Sequence, residues 1–367
     1  MKFPFSFLLP LVLACLSACR CDSERSKNEA PEDLMSKRAF FSFGPLLSPR
    51  PVGSDLEFSF SFSDTSRIPD SIVYRMDGQR IGAAGTSDST AFRFVWNSAG
   101  AGCGEHRFET EAWKGGRAME TAAQVFFLSS DVQPDIYSFE VVKSFPHETS
   151  SFTQGLEWKG NQLYEGTGLN GKSALMRIEP QTGKAVQKIS LSQEYFGEGI
   201  TILGDRLYQI TWQNKKGFVY TLPDLKKYTE FSYATDGWGL SSWKGDLIMT
   251  DGSNRLYFLD SRTFQAKKNT QVWDTKGPVS QLNELETAEG GVWANKYTTD
   301  TLVKFDPETG KVLAYLDLSG LLKKEDETGN EDVLNGIAYR ADEGLYYVTG
   351  KNWPKMYAIR LVKRKGV

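Results

Sequence analysis

The residues best equipped for chemistry fall at matched places of a repeated pattern. Gln154-Gly155-Leu156, Glu198-Gly199-Ile200, Trp238-Gly239-Leu240, Asn283-Glu284-Leu285 and Asn335-Gly336-Ile337 each set a polar or aromatic residue two places before an aliphatic one. Gathered on one ring, a carboxylate, three amides and an indole make a polar pocket with an aromatic wall. The carboxylate can take and return a proton, the amides can orient a polar group, and the indole can exclude water. A purely structural ring would tolerate small or apolar residues at all five places. Phe152 and Trp212 fall near the same level and extend the aromatic wall. Histidine scarcity bounds the alternatives. With His106 and His147 as the two histidines of the chain, a histidine-rich zinc or di-iron site is excluded, and a Ser-His-Asp scheme has two candidates at most. His106 sits in a strand-like run and His147, beside Pro146 and Glu148, in a turn.

The elements that must position these residues follow from the spacing. The five copies begin 44, 40, 45 and 52 residues apart. Each is followed nine or ten residues later by a second apolar run: Leu163-Tyr164, Leu207-Tyr208, Leu247-Ile248, Val292-Trp293 and Leu345-Tyr346. Turns such as Lys159-Gly160-Asn161 and Lys244-Gly245-Asp246 separate the two runs, and hairpins such as the one turning at Pro307-Glu308-Thr309-Gly310 follow. A four-stranded unit recurring every 40 to 50 residues is the pattern of a β-propeller blade. Five copies predict a five-bladed propeller over 133–367. The last copy ends after three strands with Met356–Val362, so the unattached strand Tyr137–Phe145 is expected to complete it and close the ring. In such a ring the starts of the innermost strands face one mouth of the channel.

Upstream, 41–132 alternates with period two in Leu56–Phe62, Ser71–Tyr74, Phe92–Trp96, His106–Thr110 and Gln124–Leu128, with a turn at Asp77-Gly78. This predicts a small immunoglobulin-like β-sandwich, with the boundary at Asp131–Pro134. The whole chain is therefore expected to be all-β, in keeping with 23 Phe, 15 Tyr, 9 Trp and 34 Gly among 367 residues. A net charge of −3 supplies no basic field for nucleic acid.

Lys2 precedes an apolar run from Phe3 to Ala18, interrupted by Pro10 and too short to span a bilayer comfortably. It reads as a signal peptide over 1–18. Its end, Leu16-Ser17-Ala18-Cys19, matches a bacterial lipoprotein cleavage box in which Cys19 carries the lipid; a second box ends at Cys15, and an ordinary secretory signal is the alternative. Residues 19–40 are charged and poor in aromatics, as a tether should be. The expected location is exported and lipid-anchored to a bacterial membrane, on the periplasmic or cell-surface face, with the anchor as the sole membrane contact. Cys21 and Cys103 remain, free or paired with each other.

Two further signals lack the context their chemistry needs. Gly166-Thr167-Gly168-Leu169-Asn170-Gly171-Lys172-Ser173 matches the P-loop pattern, which needs a following helix to hold phosphate. Ala174–Ile178 and its Pro-Gln-Thr-Gly turn read instead as strand and hairpin. The charged run Lys323–Asp332 is read as a solvated loop rather than a calcium site.

Several blocks carry a resemblance. Phe152-Thr153-Gln154-Gly155-Leu156, Tyr164-Glu165-Gly166-Thr167-Gly168, Phe196-Gly197-Glu198-Gly199-Ile200, Thr235-Asp236-Gly237-Trp238-Gly239, Asn283-Glu284-Leu285-Glu286, Val292-Trp293-Ala294-Asn295 and Gly350-Lys351-Asn352-Trp353-Pro354 resemble, in order, the glutaminyl-peptide cyclotransferases of the plant and bacterial type. The likeness runs from about Tyr137 to Val362 and leaves out the sandwich and the anchor. It implies a five-bladed propeller that turns N-terminal glutamine of peptides or proteins into pyroglutamate, releasing ammonia without a catalytic metal. Glu198 would be the catalytic acid, with Lys351 and Asn283 assisting at the reacting amide. Phe152, Gln154, Trp212 and Trp238 would line the pocket, as would Asn335 by its ring position. Tyr297 stands where plant members carry a second tryptophan, so the wall there differs. No cofactor is required, a structural calcium ion is not expected, and a monomer is. Two other readings stay open from the residues alone: a calcium-dependent lactonase-like propeller using the ring oxygens, and a non-catalytic propeller that displays its aromatics to a peptide or glycan.

Overall fold

The computed structural model describes residues 41–62, 68–86 and 90–364. The expected signal peptide, the tether, Cys19 and Cys21 lie outside them.

The chain is all-β. Its first part comprises β1 (Phe41–Phe43), β2 (Arg50–Pro51), β3 (Asp55–Phe62), β4 (Ser71–Met76), β5 (Gln79–Gly85), β6 (Ala91–Asn97), β7 (Gly104–Lys114) and β8 (Arg117–Ser129). These form two sheets, ordered β1-β3-β6 and β2-β8-β7-β4-β5. Alternation does the sorting: Leu56, Phe58, Phe60 and Phe62 of β3 point inward while Glu57 between them faces solvent. Phe58 stacks on Phe108 of the other sheet at 3.9 Å and meets Phe126 edge-on at 5.4 Å. Asp77 and Gly78, with φ of +51° and +78°, make the two-residue turn that this twist of hairpin favours. His106 is a strand residue, as expected, and ties that turn down by bonding Asp77 at 2.8 Å and the Gly102 carbonyl at 2.9 Å.

The second part opens with β9 (Asp135–Pro146) and continues as five antiparallel meanders. They are β10 to β13 (Thr153–Lys159, Gln162–Thr167, Ala174–Glu179, Lys184–Ser190), β14 to β17 (Gly197–Leu203, Arg206–Thr211, Lys216–Thr221, Lys227–Ser232) and β18 to β21 (Leu240–Trp243, Asp246–Thr250, Arg255–Leu259, Ala266–Gln271). Then come β22 to β25 (Leu282–Ala288, Gly291–Lys296, Thr301–Phe305, Val312–Asp317) and the three strands β26 to β28 (Leu334–Arg340, Leu345–Gly350, Lys355–Lys363). β9 supplies the missing fourth strand of the last meander, pairing antiparallel with β28 from Pro146–Lys355 to Tyr137–Lys363. Its first residues also pair in parallel with β25.

First strands touch in a closed circuit, β10 to β14 to β18 to β22 to β26 and back to β10. The repeated glycine explains how closely they approach. A Cβ on Gly155 would sit 2.6 Å from the Ile200 nitrogen, and one on Gly239 would collide with the Asn283 carbonyl. The fourth copy carries Glu284 at this place. Its two oxygens accept the Leu156 N–H at 3.1 Å and the Ile337 N–H at 2.9 Å, so one buried carboxylate stitches β22 to β10 and β26.

The β7–β8 end packs on the third and fourth meanders. Cys103 N–H donates to the Thr309 carbonyl at 2.7 Å, Lys311 pairs with Asp131 at 2.7 Å, and Phe127 stacks on Trp273. Burial pushes the Cys103 thiol up to about 12. Among the described residues no helix is long and apolar enough to cross a membrane.

Candidate active site

The starts of the first strands surround a cavity of about 230 Å³. That is below the roughly 300–1,000 Å³ typical of sites for drug-sized ligands. Gln154, Glu198 and Asn283 reach it from the second positions of β10, β14 and β22. Trp238, just before β18, is fixed by its N–H to the Thr250 carbonyl at 2.9 Å. Lys351 arrives from the turn between β27 and β28, which has no counterpart among the ring positions.

Aromatic rings make two walls. Phe152 meets Phe196 edge-on at 6.2 Å, and Phe196 meets Trp212 at 5.7 Å. Opposite, Trp238 and Tyr297 pack edge-to-face at 5.4 Å. The Lys351 ammonium lies between the two walls, 4.8 Å from the Phe152 ring centre and 4.9 Å from that of Tyr297. Both contacts are of cation–π type and hold the charge without neutralising it.

Electrostatics single out Glu198. It is 5 % exposed, and among the described residues its Oε2 has no hydrogen-bond partner. Burial pushes its carboxyl well above the usual range, and the Lys351 charge pulls in the other direction. Lys351 responds in kind: burial lowers its pKa, with Glu198 and then Asp332 opposing. Asn283 Oδ1 likewise lacks a partner among the described residues. A poised carboxyl, a buried cation and an unpaired amide oxygen inside aromatic walls can move a proton and stabilise developing negative charge.

Eight of the expected residues therefore line one cavity: Phe152, Gln154, Glu198, Trp212, Trp238, Asn283, Tyr297 and Lys351. Asn335 does not. It is fully buried, and its Nδ2 donates to the Thr153 carbonyl at 2.9 Å and to Gln154 Oε1 at 3.0 Å. It orients the Gln154 amide from behind instead of facing the cavity. Phe196 lines the wall without having been singled out. The signal was available, since Phe196 precedes Glu198 by two residues as Phe152 precedes Gln154. His147, expected in a turn, is buried outside the cavity. The P-loop look-alike runs from β11 into β12, a strand where phosphate binding needs a helix. In the charged run, Asp326 pairs with Lys355, and Glu331 caps the N–H groups of Thr328 and Gly329.

A sequence model of the glutamine cyclotransferase family matches residues 115–361, which takes in every cavity residue and begins at the β7–β8 turn, ahead of the boundary suggested at 131–134. The chain belongs to the glutamine cyclotransferase family. Over 237 residues it is 40% identical to the glutaminyl-peptide cyclotransferase of Arabidopsis thaliana, a match covering 64% of this chain and 74% of the relative. The crystal structure of Myxococcus xanthus glutaminyl cyclase superposes with a TM-score of 0.61 at 31% identity, over 64% of this chain and all of that one. Family membership and cavity coincide, because the matched segment is the part of the chain that builds the pocket.

Proposed function

We propose that this protein is a glutaminyl-peptide cyclotransferase, cyclising N-terminal glutamine of peptides or proteins to pyroglutamate with release of ammonia. The observation that carries the reading is Glu198, a buried carboxylate whose Oε2 has no partner among the described residues, beside Lys351 in an aromatic cavity of about 230 Å³. An α-amino group has a pKa of about 7.7–8.0, so moderate help from a base is enough to free its lone pair. In this reading Glu198 accepts a proton from the substrate's ammonium group. The amine then attacks the side-chain carboxamide carbon, closing a five-membered ring and forming an oxyanion. Lys351 and Asn283 stabilise that intermediate and orient the amide. Glu198 then hands its proton to the old amide nitrogen and takes the extra proton from the new ring nitrogen as the carbon–nitrogen bond breaks; ammonia leaves, and that last proton passes to solvent to restore the carboxylate. Gln154 holds the substrate amide, and Phe152, Trp212, Trp238 and Tyr297 exclude water from the folded-back side chain.

The scaffold reading accompanies it. The closed circuit of five meanders is a five-bladed β-propeller over 133–367, and the two sheets before it are an immunoglobulin-like sandwich over 41–132. We further propose that 1–18 is a lipoprotein signal peptide and 19–40 a tether. Lipid on Cys19 would hold a monomeric enzyme at a bacterial membrane. Every step above uses side chains of this chain, so no cofactor is invoked.

The test is to incubate the chain from Arg20 onward with a short Gln-initiated peptide and follow ammonia, with and without EDTA. Cyclisation undiminished by EDTA is expected. Activity lost to EDTA and restored by calcium would overturn the metal-free mechanism. No cyclisation by folded protein would overturn the enzyme reading.

A further inference from the structure

We propose that His147 and Glu165 form a buried ion pair that positions the cyclisation site, locking the turn that carries Lys351 to the strand that carries Gln154 where the circuit of sheets closes. The inference rests on the function proposed above for that site, but the pair itself can be observed without it.

His147 follows β9 directly, and its side chain is 3% exposed while that of Glu165, on β11, is 1% exposed. The ring nitrogen Nδ1 lies 2.8 Å from the Trp353 carbonyl oxygen, which can only accept, so Nδ1 carries a proton. The other nitrogen, Nε2, lies 3.1 Å from Glu165 Oε1, an oxygen that already accepts the Thr153 hydroxyl proton at 2.7 Å. A neutral ring protonated on Nδ1 would set the Nε2 lone pair against those of the carboxylate. With both nitrogens protonated, each donates to an acceptor. Burial disfavours the charged ring, and the Glu165 charge and hydrogen bond more than offset this, so the imidazole pKa is raised. Glu148, next in the chain, adds to the effect. The neighbouring hairpin contributes the neutral Trp353 carbonyl from its turn and the Thr349 hydroxyl from β27 at 3.4 Å, while the charge of Lys351 on that turn is felt by Glu198 and Asp332.

The pair lies at a junction. His147 N–H donates to the Pro354 carbonyl at 2.9 Å, and Asn352 reaches the Ser151 and Thr149 carbonyls at 2.8 and 2.9 Å. The Lys351 turn therefore hangs on segment 147–151. On the other side Thr153 gives its hydroxyl to Glu165 and its carbonyl to Asn335, which holds the Gln154 amide. Neither His147 nor Glu165 lines the cavity, so both are positioning residues. A buried pair that loses one charge leaves the other uncompensated. The raised imidazole pKa sets the sign: the pair persists below that pKa and is lost as pH climbs through it, so turnover declines at the alkaline end.

Nitrogen-15 NMR of the imidazoles in the active, tether-free chain tests this directly. With two histidines in the sequence, a His106→Asn variant assigns both. His147 is expected to stay doubly protonated at a pH above the ordinary imidazole pKa of about 6.5, and a ring that is already neutral Nδ1–H at that pH overturns the pair. Glu165→Gln keeps an acceptor for Thr153 but removes the charge. In that variant His147 should be neutral at the same pH. Its kcat should fall about tenfold to a hundredfold with KM changed far less, as expected for misplaced groups, and its alkaline limb should move to lower pH. Unchanged kcat and an unchanged pH profile would overturn the positioning role. Should Glu165→Gln fail to fold, the wild-type spectrum still decides the pair. An inactive wild type showing a charged His147 would overturn the cyclase reading while leaving the ion pair in place.

Discussion

Glu198 and Glu284 are both buried carboxylates on first strands, one place apart in the repeat, and burial pushes both well above the ordinary range. Their hydrogen bonds separate them. Glu284 occupies the place held elsewhere by Gly155, Gly199, Gly239 and Gly336, and it accepts N–H groups from two other strands. Glu198 keeps an oxygen with no partner among the described residues, facing a lysine across a cavity. The two share residue type, depth and element, yet one stitches the circuit and the other is free to exchange a proton. Burial and a raised pKa alone do not mark a reactive carboxylate; an unused acceptor aimed at a cavity does.

The contrast can be broken most sharply at Glu198. Glu198→Gln should lower kcat for a Gln-initiated peptide by about 10²- to 10⁴-fold, the usual worth of general acid–base catalysis. It should unfold no more easily than wild type. A carboxyl whose pKa is raised on folding loses stability once pH exceeds its unfolded value, and the amide removes that loss. Chemical denaturation checks this half of the prediction.

At Glu284 the pattern should invert. Glu284→Ala strands two buried N–H groups, each costing about 1–3 kcal/mol, so unfolding free energy should drop by up to about 6 kcal/mol, offset in part because a carboxyl whose pKa folding raises is removed. Turnover per folded molecule should change far less than in Glu198→Gln.

Lys351→Met sharpens the electrostatic side. Removing the cation beside Glu198 leaves burial unopposed and raises the carboxyl pKa further. The acid limb of kcat/KM against pH should therefore move upward. A limb that stays in place would show that Lys351 does not act on Glu198.

The smallest effect is expected at Tyr297→Trp, which keeps an aromatic face at this wall. An indole offers Lys351 a ring face as good as the phenol's, so kcat/KM should stay within about threefold, whereas Tyr297→Leu, which removes the face, should cost more.

The spacing of the repeat and the alternation upstream are enough to place the strands, because glycine at close approaches and period-two burial leave direct marks in the sequence. Ring position placed Gln154, Glu198, Trp238 and Asn283, since side chains at strand starts share one direction. It misplaced Asn335, whose amide turns beneath Gln154, because register fixes where a side chain starts and not which partner wins its hydrogen bonds. Lys351 lies on a turn outside the register, so periodicity cannot find it, and it entered through resemblance. Nothing in the repeat marks the role of Glu284. Its partners, 128 residues before it and 53 after, become neighbours only once the circuit closes. The sequence around His147 reads as a turn, and no local pattern reveals a carboxylate on the next strand pair.

The most direct test puts both carboxylates in one assay: ammonia release from a Gln-initiated peptide by wild type, Glu198→Gln and Glu284→Ala, with each rate divided by the folded fraction measured in the same sample. The expected result is near-abolished turnover in fully folded Glu198→Gln and substantial turnover in whatever fraction of Glu284→Ala remains folded. Near-normal turnover in Glu198→Gln would contradict the assignment of Glu198 as the proton-transferring group.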